Sequence, residues 1–585
     1  MDRAPRPSAL LDRMDLRKHC QRRASAMSMA QQDWLPDWRD VSEYVDPARG
    51  RFSQNSNRRT RRSRAKVINS KATEVLRVMA AGMMSHMTPK ASPWFRVSAP
   101  DPDLNENFAV KLWLDVVTQR IRDTLASSNF YKAMPILYTE DGMFGTAPML
   151  VLEDPRDVVR FYPLTCGTYA LAMDAYGRVD TLWRKYPRTA RQLEERYGRE
   201  ALPRTVQECL SDKAGRQDQE FWVHSMIEPN PDARPGTGPL GLQAPQHRPW
   251  REVVWLEECG SADGSGVIHV GGHYEAPFVT ARWNPVAEDT YSTCPGVDLL
   301  GDIKQLQYLE GEKLALMEQV ADPTLAVPDS LRLKGGARLR KGGQVYLPPD
   351  QLGAQIQPIY TPNAQALLQI REEIATIEGR IERGFYYQLF LMMEALGDQT
   401  GRTATEIAER REEKAAVLGP TLESITDEVL DPVVIRTFRL LERAGRIPPP
   451  PEELADAPLK IEYTSILAQA AKANGTVSIQ RTVEFAAFVA QATGRPDALD
   501  KIDGDQAIDE FADRVGSPAA LVRSDDDVAQ IRQSRAQREQ MAQMAAMAGP
   551  VKDAATALKT AGEAVPQEGS AAEGLAGILG GMGGQ

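Results

Sequence analysis

Asn363-Ala364-Gln365-Ala366-Leu367-Leu368-Gln369-Ile370-Arg371-Glu372-Glu373-Ile374-Ala375-Thr376-Ile377-Glu378-Gly379-Arg380-Ile381 places Leu367, Ile370, Ile374, Ile377 and Ile381 at alternating spacings of three and four. So narrow an apolar stripe is a helix-packing seam and needs a second helix to cover it. A partner is at hand upstream, where residues 299–320 also read as helix. Between the two, residues 323–362 are short, punctuated by Pro and Gly, and strand-like. A small β-rich module held between two helices is the feature on which the fold turns.

Downstream of the seam, the polar break Gly397-Asp398-Gln399-Thr400-Gly401-Arg402 precedes a helix expected over residues 403–445. At 1.5 Å per residue that span is about 65 Å long, and Pro420 inside it removes a hydrogen bond and should bend it. Pro448 to Pro451, a strand at residues 459–463 and further helices to about residue 548 follow, with Ser524-Asp525-Asp526-Asp527 capping the last. The Ala/Gly-rich tail ending at Gln585 has the composition of a disordered segment.

Upstream, residues 8–32 read as helix and residues 49–66 as a basic loop holding Arg58-Arg59-Thr60-Arg61-Arg62-Ser63-Arg64. From Ser70 as N-cap, Val75, Leu76, Met79, Met83 and Met87 recur at helical spacing until Thr88-Pro89. A second amphipathic helix over residues 105–127 carries Val110, Leu114, Val117, Ile121 and Leu125. Strands are expected after it, at residues 149–153, 158–162 and 168–173, with Asp174-Ala175-Tyr176-Gly177 as the turn into residues 178–186. Residues 229–249 hold six prolines and read as a loop or surface insertion, after which strands run to Trp283. The fold class is α+β, helix-rich.

A chain of 585 residues is long enough for several cores. Its 42% hydrophobic and 26% charged composition is that of a soluble globular protein. No run approaches the roughly 18 apolar residues that span a bilayer, and no signal-peptide core follows Met1, so no membrane association is expected. Cys20, Cys166, Cys209, Cys259 and Cys294 are scattered and odd in number, which fits a reducing cytosol better than a disulfide framework. The net charge of −10 is uneven: residues 1–66 hold sixteen basic against eight acidic side chains, a local +8 that leaves −18 for the rest. An acidic body releases few counterions from phosphates, so it suits a wall along which DNA slides better than a tight binder.

Catalytic constellations find little footing. On a strand, His269, His273 and Glu275 would share one face and could ligate a metal, but no H-E-x-x-H motif or cysteine pair accompanies them, and ordinary histidines are the simpler reading. The Gly-rich stretch around Lys334, Arg338, Arg340 and Lys341 lacks the order of a phosphate-binding loop and reads as a basic β-turn. Ser265 lies in no nucleophile elbow, and Glu372-Glu373 and Glu412-Glu413 read as solvated helix faces. No cofactor is implied. The Arg58 to Arg64 cluster could meet nucleic acid, an acidic partner surface, or solvent.

Several segments, in order, resemble the head-to-tail connector, or portal, family of short-tailed bacteriophages over roughly residues 40–540. They begin with Ala72-Thr73-Glu74-Val75-Leu76, then Ala81-Gly82-Met83-Met84-Ser85-His86-Met87-Thr88 and Pro93-Trp94-Phe95. Tyr176-Gly177-Arg178-Val179-Asp180, Thr189-Ala190-Arg191-Gln192-Leu193 and Tyr197-Gly198 follow. Further on stand Arg282-Trp283, Asp302-Ile303-Lys304-Gln305-Leu306, Arg402-Thr403-Ala404-Thr405-Glu406-Ile407 and Leu418-Gly419-Pro420. Tyr291-Ser292-Thr293-Cys294-Pro295 departs from the glycine-richer form of the family.

The resemblance implies a homo-oligomer of twelve subunits around an axial channel that conducts double-stranded DNA. It divides the chain into a basic N-terminal segment (1–66), a wing (67–297), a first stem helix (298–321), a clip (322–362) and a second stem helix (363–394). A channel loop (395–402), a long kinked wing helix (403–446), a wing strand region (447–475), a helical crown (476–549) and a tail (550–585) complete it. It implies as partners the major capsid protein and scaffold, the terminase large subunit, a tail adaptor and internal head proteins, with Gly397 to Arg402 facing DNA, in a virion assembled in host cytoplasm. Two other classes remain open: a metal-dependent nuclease or protease built on His269 and His273, and a capsid shell or scaffold protein.

Overall fold

A computed structural model describes residues 13–52, 66–101, 104–105, 107–211, 215–234, 243–257, 266–286, 288–323, 325–328, 344–347, 357–358, 364–395, 419–454, 459–463, 482–486, 488–489, 503–515 and 527–541. The chain divides into two compact units, Met1–Ala507 and Ile508–Gln585. In the second, the described residues are the end of one helix and a helix over residues 527–541. Everything below concerns the first, a mixture of helix and sheet.

Two of its helices form where burial periodicity asks for them. Helix α1 spans Arg13–Ala30 and α2 spans Leu35–Tyr44, followed by α3 at Lys71–Met87, which buries Val75, Leu76, Met79 and Met83. Helix α4, Phe108–Ser127, is capped by Asn107, whose side chain accepts the Ala109 N–H, and buries Val110, Leu114, Val117, Ile121 and Leu125. Next comes a helix the sequence reading did not foresee, α5 at Phe130–Phe144. It is buried on nearly every side, so it shows no polar face, and it carries Pro135 within its early turns.

The strands make two principal sheets. Strand β2 (Thr146–Asp154) is central between β3 (Val158–Pro163) and β9 (Phe278–Arg282). The second sheet is a five-stranded antiparallel meander of β4 (Tyr169–Met173), β5 (Val179–Thr189), β6 (Glu220–Pro229), β7 (Trp250–Leu256) and β8 (Val267–His273). Both its faces are covered. On one, Leu16, Cys20, Ala24 and Met27 of α1 pack on Met226, Val253 and Trp255. On the other lie α6 (Ala190–Tyr197) and α7 (Arg204–Ser211), whose Leu193 and Val206 meet Tyr186, Val223 and Leu256. A capping box starts α6: the Thr189 hydroxyl accepts the Gln192 N–H and the Gln192 side chain accepts the Thr189 N–H.

A two-stranded ribbon pairs β10 (Asn284–Pro285) with β11 (Ser292–Thr293), after which helix α8, Leu300–Ala321, runs out to β12 (Leu325–Pro328), β13 (Gln344–Leu347) and β14 (Gln357–Pro358), a three-stranded sheet with β12 in the middle. The chain returns along α9, Ala364–Gly384. The seam is real: Ile374, Ile377 and Ile381 are buried and Ile370 is partly buried. The expected single helix to about residue 393 is broken. Tyr386 takes a positive φ of 57°, and α10 begins again at Tyr387–Ala395. The break lets Phe385, Leu389 and Phe390 all enter the core.

Of the helix expected over 403–445, the described part is 419–443, with Pro420 its second residue. Its bend by Pro420 falls on a boundary whose other side lies outside the described residues. Within the described part the helix is irregular elsewhere: Thr426–Leu430 is a π-helical turn directly before α11, Asp431–Arg443, where Pro432 cannot donate to the preceding turn. Strand β15 (Lys460–Tyr463) pairs with β1 (Phe95–Ser98), and Trp94 stacks on Phe130 and Tyr463 with ring centroids 5.9 and 6.3 Å away. No described helix is long and apolar enough to cross a membrane.

At the heart of the main core the Asp141 carboxyl is fully buried and neither oxygen has a hydrogen-bond partner. Burial, and after it the negative charge of Glu428, holds its pKa well above the usual carboxylate range. The unfolded group ionises above about pH 4 while burial holds the folded pKa higher, so stability falls as pH rises from there towards the raised folded pKa. Asp141→Asn should therefore be more stable than the parent at pH 7, with the gap closing at about 1.4 kcal/mol per pH unit on acidification. Urea midpoints across this pH range check it, and parallel curves would mean that Asp141 is ionised in the fold.

Candidate functional site

The helix pair is tied together by a short segment ahead of α3. The Gln307 side chain of α8 accepts the N–H groups of Ile68 and Asn69 at 2.7 and 2.8 Å and donates to the Asn69 carbonyl at 2.8 Å. The Asn69 amide then bridges the two helices, donating to Glu310 of α8 at 3.1 Å and to Glu378 of α9 at 2.9 Å. Nearer the base, Arg380 pairs with Asp302 at 3.4 Å, and Lys71 of α3 pairs with Glu382 at 2.7 Å. The polar faces of the seam helices are thus used as a lock on the wall behind them. Glu372 and Glu373 point to solvent, as their sequence suggests.

Beyond that lock α8 changes character. Tyr308, Leu314, Met317 and Val320 are 66%, 48%, 51% and 59% exposed, and Leu368 of α9 is 57% exposed. Large apolar side chains held in water at this density mark a contact surface.

Residues Gly397, Asp398, Gln399, Thr400, Gly401 and Arg402, singled out as a loop facing DNA, lie outside the described residues, as do Lys334, Arg338, Arg340 and Lys341 of the basic turn. The same holds for Arg58 to Arg64, Ser265, Cys259 and the C-terminal tail. Cys20, Cys166, Cys209 and Cys294 are free thiols, all buried.

The structure draws Glu275 away from His269 and His273. Glu275 stands beyond the end of β8, and its carboxylate is taken by Arg436 at 3.1 Å and Arg443 at 2.6 Å. His273 is hydrogen-bonded to Glu252 at 3.1 Å, while the His269 ring lies 5.5 Å from that of Tyr197. The glycines between them have a packing role: residues 245–248 cross the β8 edge so closely that a Cβ on Gly272 would strike the Pro245 carbonyl. Among the described residues no three His, Cys, Asp or Glu side chains converge as a metal site.

A different grouping appears on the α6 side of the five-stranded sheet, and the sequence reading missed it. Register places Arg184 of β5, Ser225 of β6, Val254 of β7 and His269 of β8 in one cross-strand row. The Arg184 guanidinium lies 3.8 Å from the centre of the Tyr186 ring and that of Arg188 4.9 Å from the same ring. At the end of α6, Arg196 lies 5.5 Å from the Tyr197 ring. The buried anion nearby is Glu252, which also accepts from the Ser225 hydroxyl at 3.1 Å. Burial would raise its pKa, but the His273 hydrogen bond and the charges of His273, Arg196 and His269 hold it down at about 2. The only sequence signal was alternation in Arg184-Lys185-Tyr186-Pro187-Arg188, which puts Arg184, Tyr186 and Arg188 on one face of a strand.

Comparison with known proteins places the chain in a family. Residues 17–522 match the family model described as bacteriophage head to tail connecting protein. The chain is 35% identical over 502 residues to a probable portal protein of Bordetella phage BPP-1, covering 86% of this chain and 88% of that one. It is 33% identical over 501 residues to the portal protein of Salmonella phage epsilon15, covering 85% of this chain and 87% of that one. With the order of its motifs and these matches along most of its length, the chain belongs to the bacteriophage head-to-tail connecting protein family.

Proposed function

We infer that the chain is a portal subunit, a virion component at the head-tail connection that serves as conduit for the genome during packaging and ejection. Its role is structural, carried by assembly geometry and charge. The observation that supports this reading best is the helix pair α8 and α9 with a small β module at its far end, in a chain that matches the connector family over residues 17–522.

In the finer reading, twelve copies form a ring around an axial channel. Helices α8 and α9 are the paired stem, and the exposed Tyr308, Leu314, Met317 and Val320 are covered by the neighbouring copy. The β12 to β14 module is the clip, which meets the terminase large subunit during packaging and a tail adaptor afterwards. Residues 67–297 and 403–475 form the wing beside the major capsid protein and scaffold, residues 476–549 the crown facing internal head proteins, and Gly397 to Arg402 the loop nearest DNA. A net charge of −10 per subunit keeps such a ring strongly negative and its contacts with passing phosphates weak. Assembly takes place in host cytoplasm.

Electron cryomicroscopy of the purified protein tests this. A closed twelve-fold ring with an open channel is the expected result. A monomer or dimer without a channel, persisting across salt and protein concentration, would overturn the reading.

A further inference from the structure

We propose that the Arg184, Arg188 and Arg196 cluster on the α6 side of the five-stranded sheet is a docking site for the phosphate backbone of duplex DNA, separate from the channel loop. The proposal rests on the portal reading for bringing DNA to the particle, and on the geometry of the cluster for everything else.

Several arginines of the chain are committed. Arg49 is paired with Glu140, Arg251 with Glu228, Arg282 with Glu428, and Arg436 and Arg443 with Glu275. In a chain with ten more acidic than basic side chains, internal partners are not scarce. Yet among the described residues Arg184, Arg188 and Arg196 make no ion pair or hydrogen bond; each lies instead over a tyrosine ring. An aromatic face orients a guanidinium and leaves its N–H groups for another acceptor. The one carboxylate in reach, Glu252, is already occupied by Ser225 and His273. The cluster therefore carries positive charge on a fixed support, with no direct ion pair and only the field of Glu252 to offset it. Burial, and with it the charges of Arg188 and Arg196, pushes the Arg184 pKa down against the opposing pull of Tyr186 and Glu252, and a bound anion would add to that pull.

The ligand class follows from the donors. Guanidinium groups held flat match the paired oxygens of phosphate in two-point contacts. Three of them from two consecutive elements, a strand and the helix after it, offer successive contacts to a repeating polyanion. An acidic protein segment is the alternative occupant, and the experiment separates the two.

Full-length protein would be titrated with a short, labelled, random-sequence DNA duplex across a range of salt. The double variant Arg184→Ala/Arg188→Ala should bind at least about tenfold more weakly, with the slope of log affinity against log salt reduced by about two, since each lost phosphate contact removes about 0.9. Arg196→Glu, on an exposed position of α6, should weaken binding likewise and covers the case in which the double variant does not fold. Arg120→Ala/Arg439→Ala, at exposed arginines elsewhere, should leave the slope unchanged. Unaltered affinity and slope in the cluster variants would overturn the proposal. So would binding of polyglutamate that depends on the cluster while duplex binding does not. Ring formation by the parent protein, imaged on the same sample, fails only if the portal reading fails.

Discussion

Replacing Arg436 with Ala should cost about 3–5 kcal/mol of stability, the range for breaking a buried ion pair by removing one partner. Arg436 is 2% exposed. Its Nε donates to the Val151 carbonyl of β2 at 2.8 Å, and its Nη1 donates to the Glu275 carbonyl at 3.0 Å and the Glu275 carboxylate at 3.1 Å. One side chain thus fastens α11 to the central strand of the three-stranded sheet and to the turn before β9. Burial lowers its pKa to about 10, which still leaves it charged at pH 7. Truncation would strand the Val151 carbonyl in a dry interior and open a cavity beside it. Arg439→Ala on the same helix is the comparison: its pair with Glu442, 2.9 Å long, has both side chains about half exposed, and its loss should cost under about 1 kcal/mol. Urea unfolding followed by tryptophan fluorescence measures both, and equal losses would mean that water reaches Arg436 in solution.

Gly145→Ala should be worse still for soluble yield. Gly145 ends α5 with φ of 78°, where a side chain alone costs about 1–2 kcal/mol. A Cβ there would also overlap the Ser292 carbonyl oxygen. The backbone cannot swing away: its N–H donates to the Asp141 carbonyl at 2.7 Å, its carbonyl accepts the Trp283 N–H at 3.0 Å, and the Ser292 hydroxyl donates to that same carbonyl. Gly177, with φ of 79° and nothing near its missing Cβ, isolates the backbone cost. Gly177→Ala should lower the thermal midpoint slightly and leave yield intact, whereas Gly145→Ala should give mostly insoluble protein. Similar behaviour of the two would show that the Ser292 strand moves aside freely.

Both residues belong to the part of the molecule that sequence reading saw least well. Helices α3 and α4 and the seam of α9 were legible because each has one wet face and one dry face, so burial writes a period into the sequence. Helix α5 exposes little beyond Lys132 and Ile136, too narrow a wet face to write a period. The π-helical turn was equally hidden, since it depends on where Pro432 falls against the core and not on any periodicity. The break at Tyr386 was missed because Phe385, Leu389 and Phe390 look like a continued apolar stripe until the surface they bury against is known.

Sequence alone determined the family, through motifs in a fixed order, and the local elements whose period is set by a single buried face. It also determined the excess of negative charge after residue 66, which composition fixes whatever the fold. Tertiary structure alone decided what chemistry the side chains share. It paired Phe95 with Tyr463 across most of the chain, gave Glu275 to Arg436 and Arg443 instead of to His269 and His273, and set Arg184, Arg188 and Arg196 over tyrosine rings with no direct ion pair. The physical reason is common to all three. Contacts between distant segments depend on the register of strands and the seating of helices, and the energy that selects them is spread over many buried side chains, so no short stretch of sequence carries it.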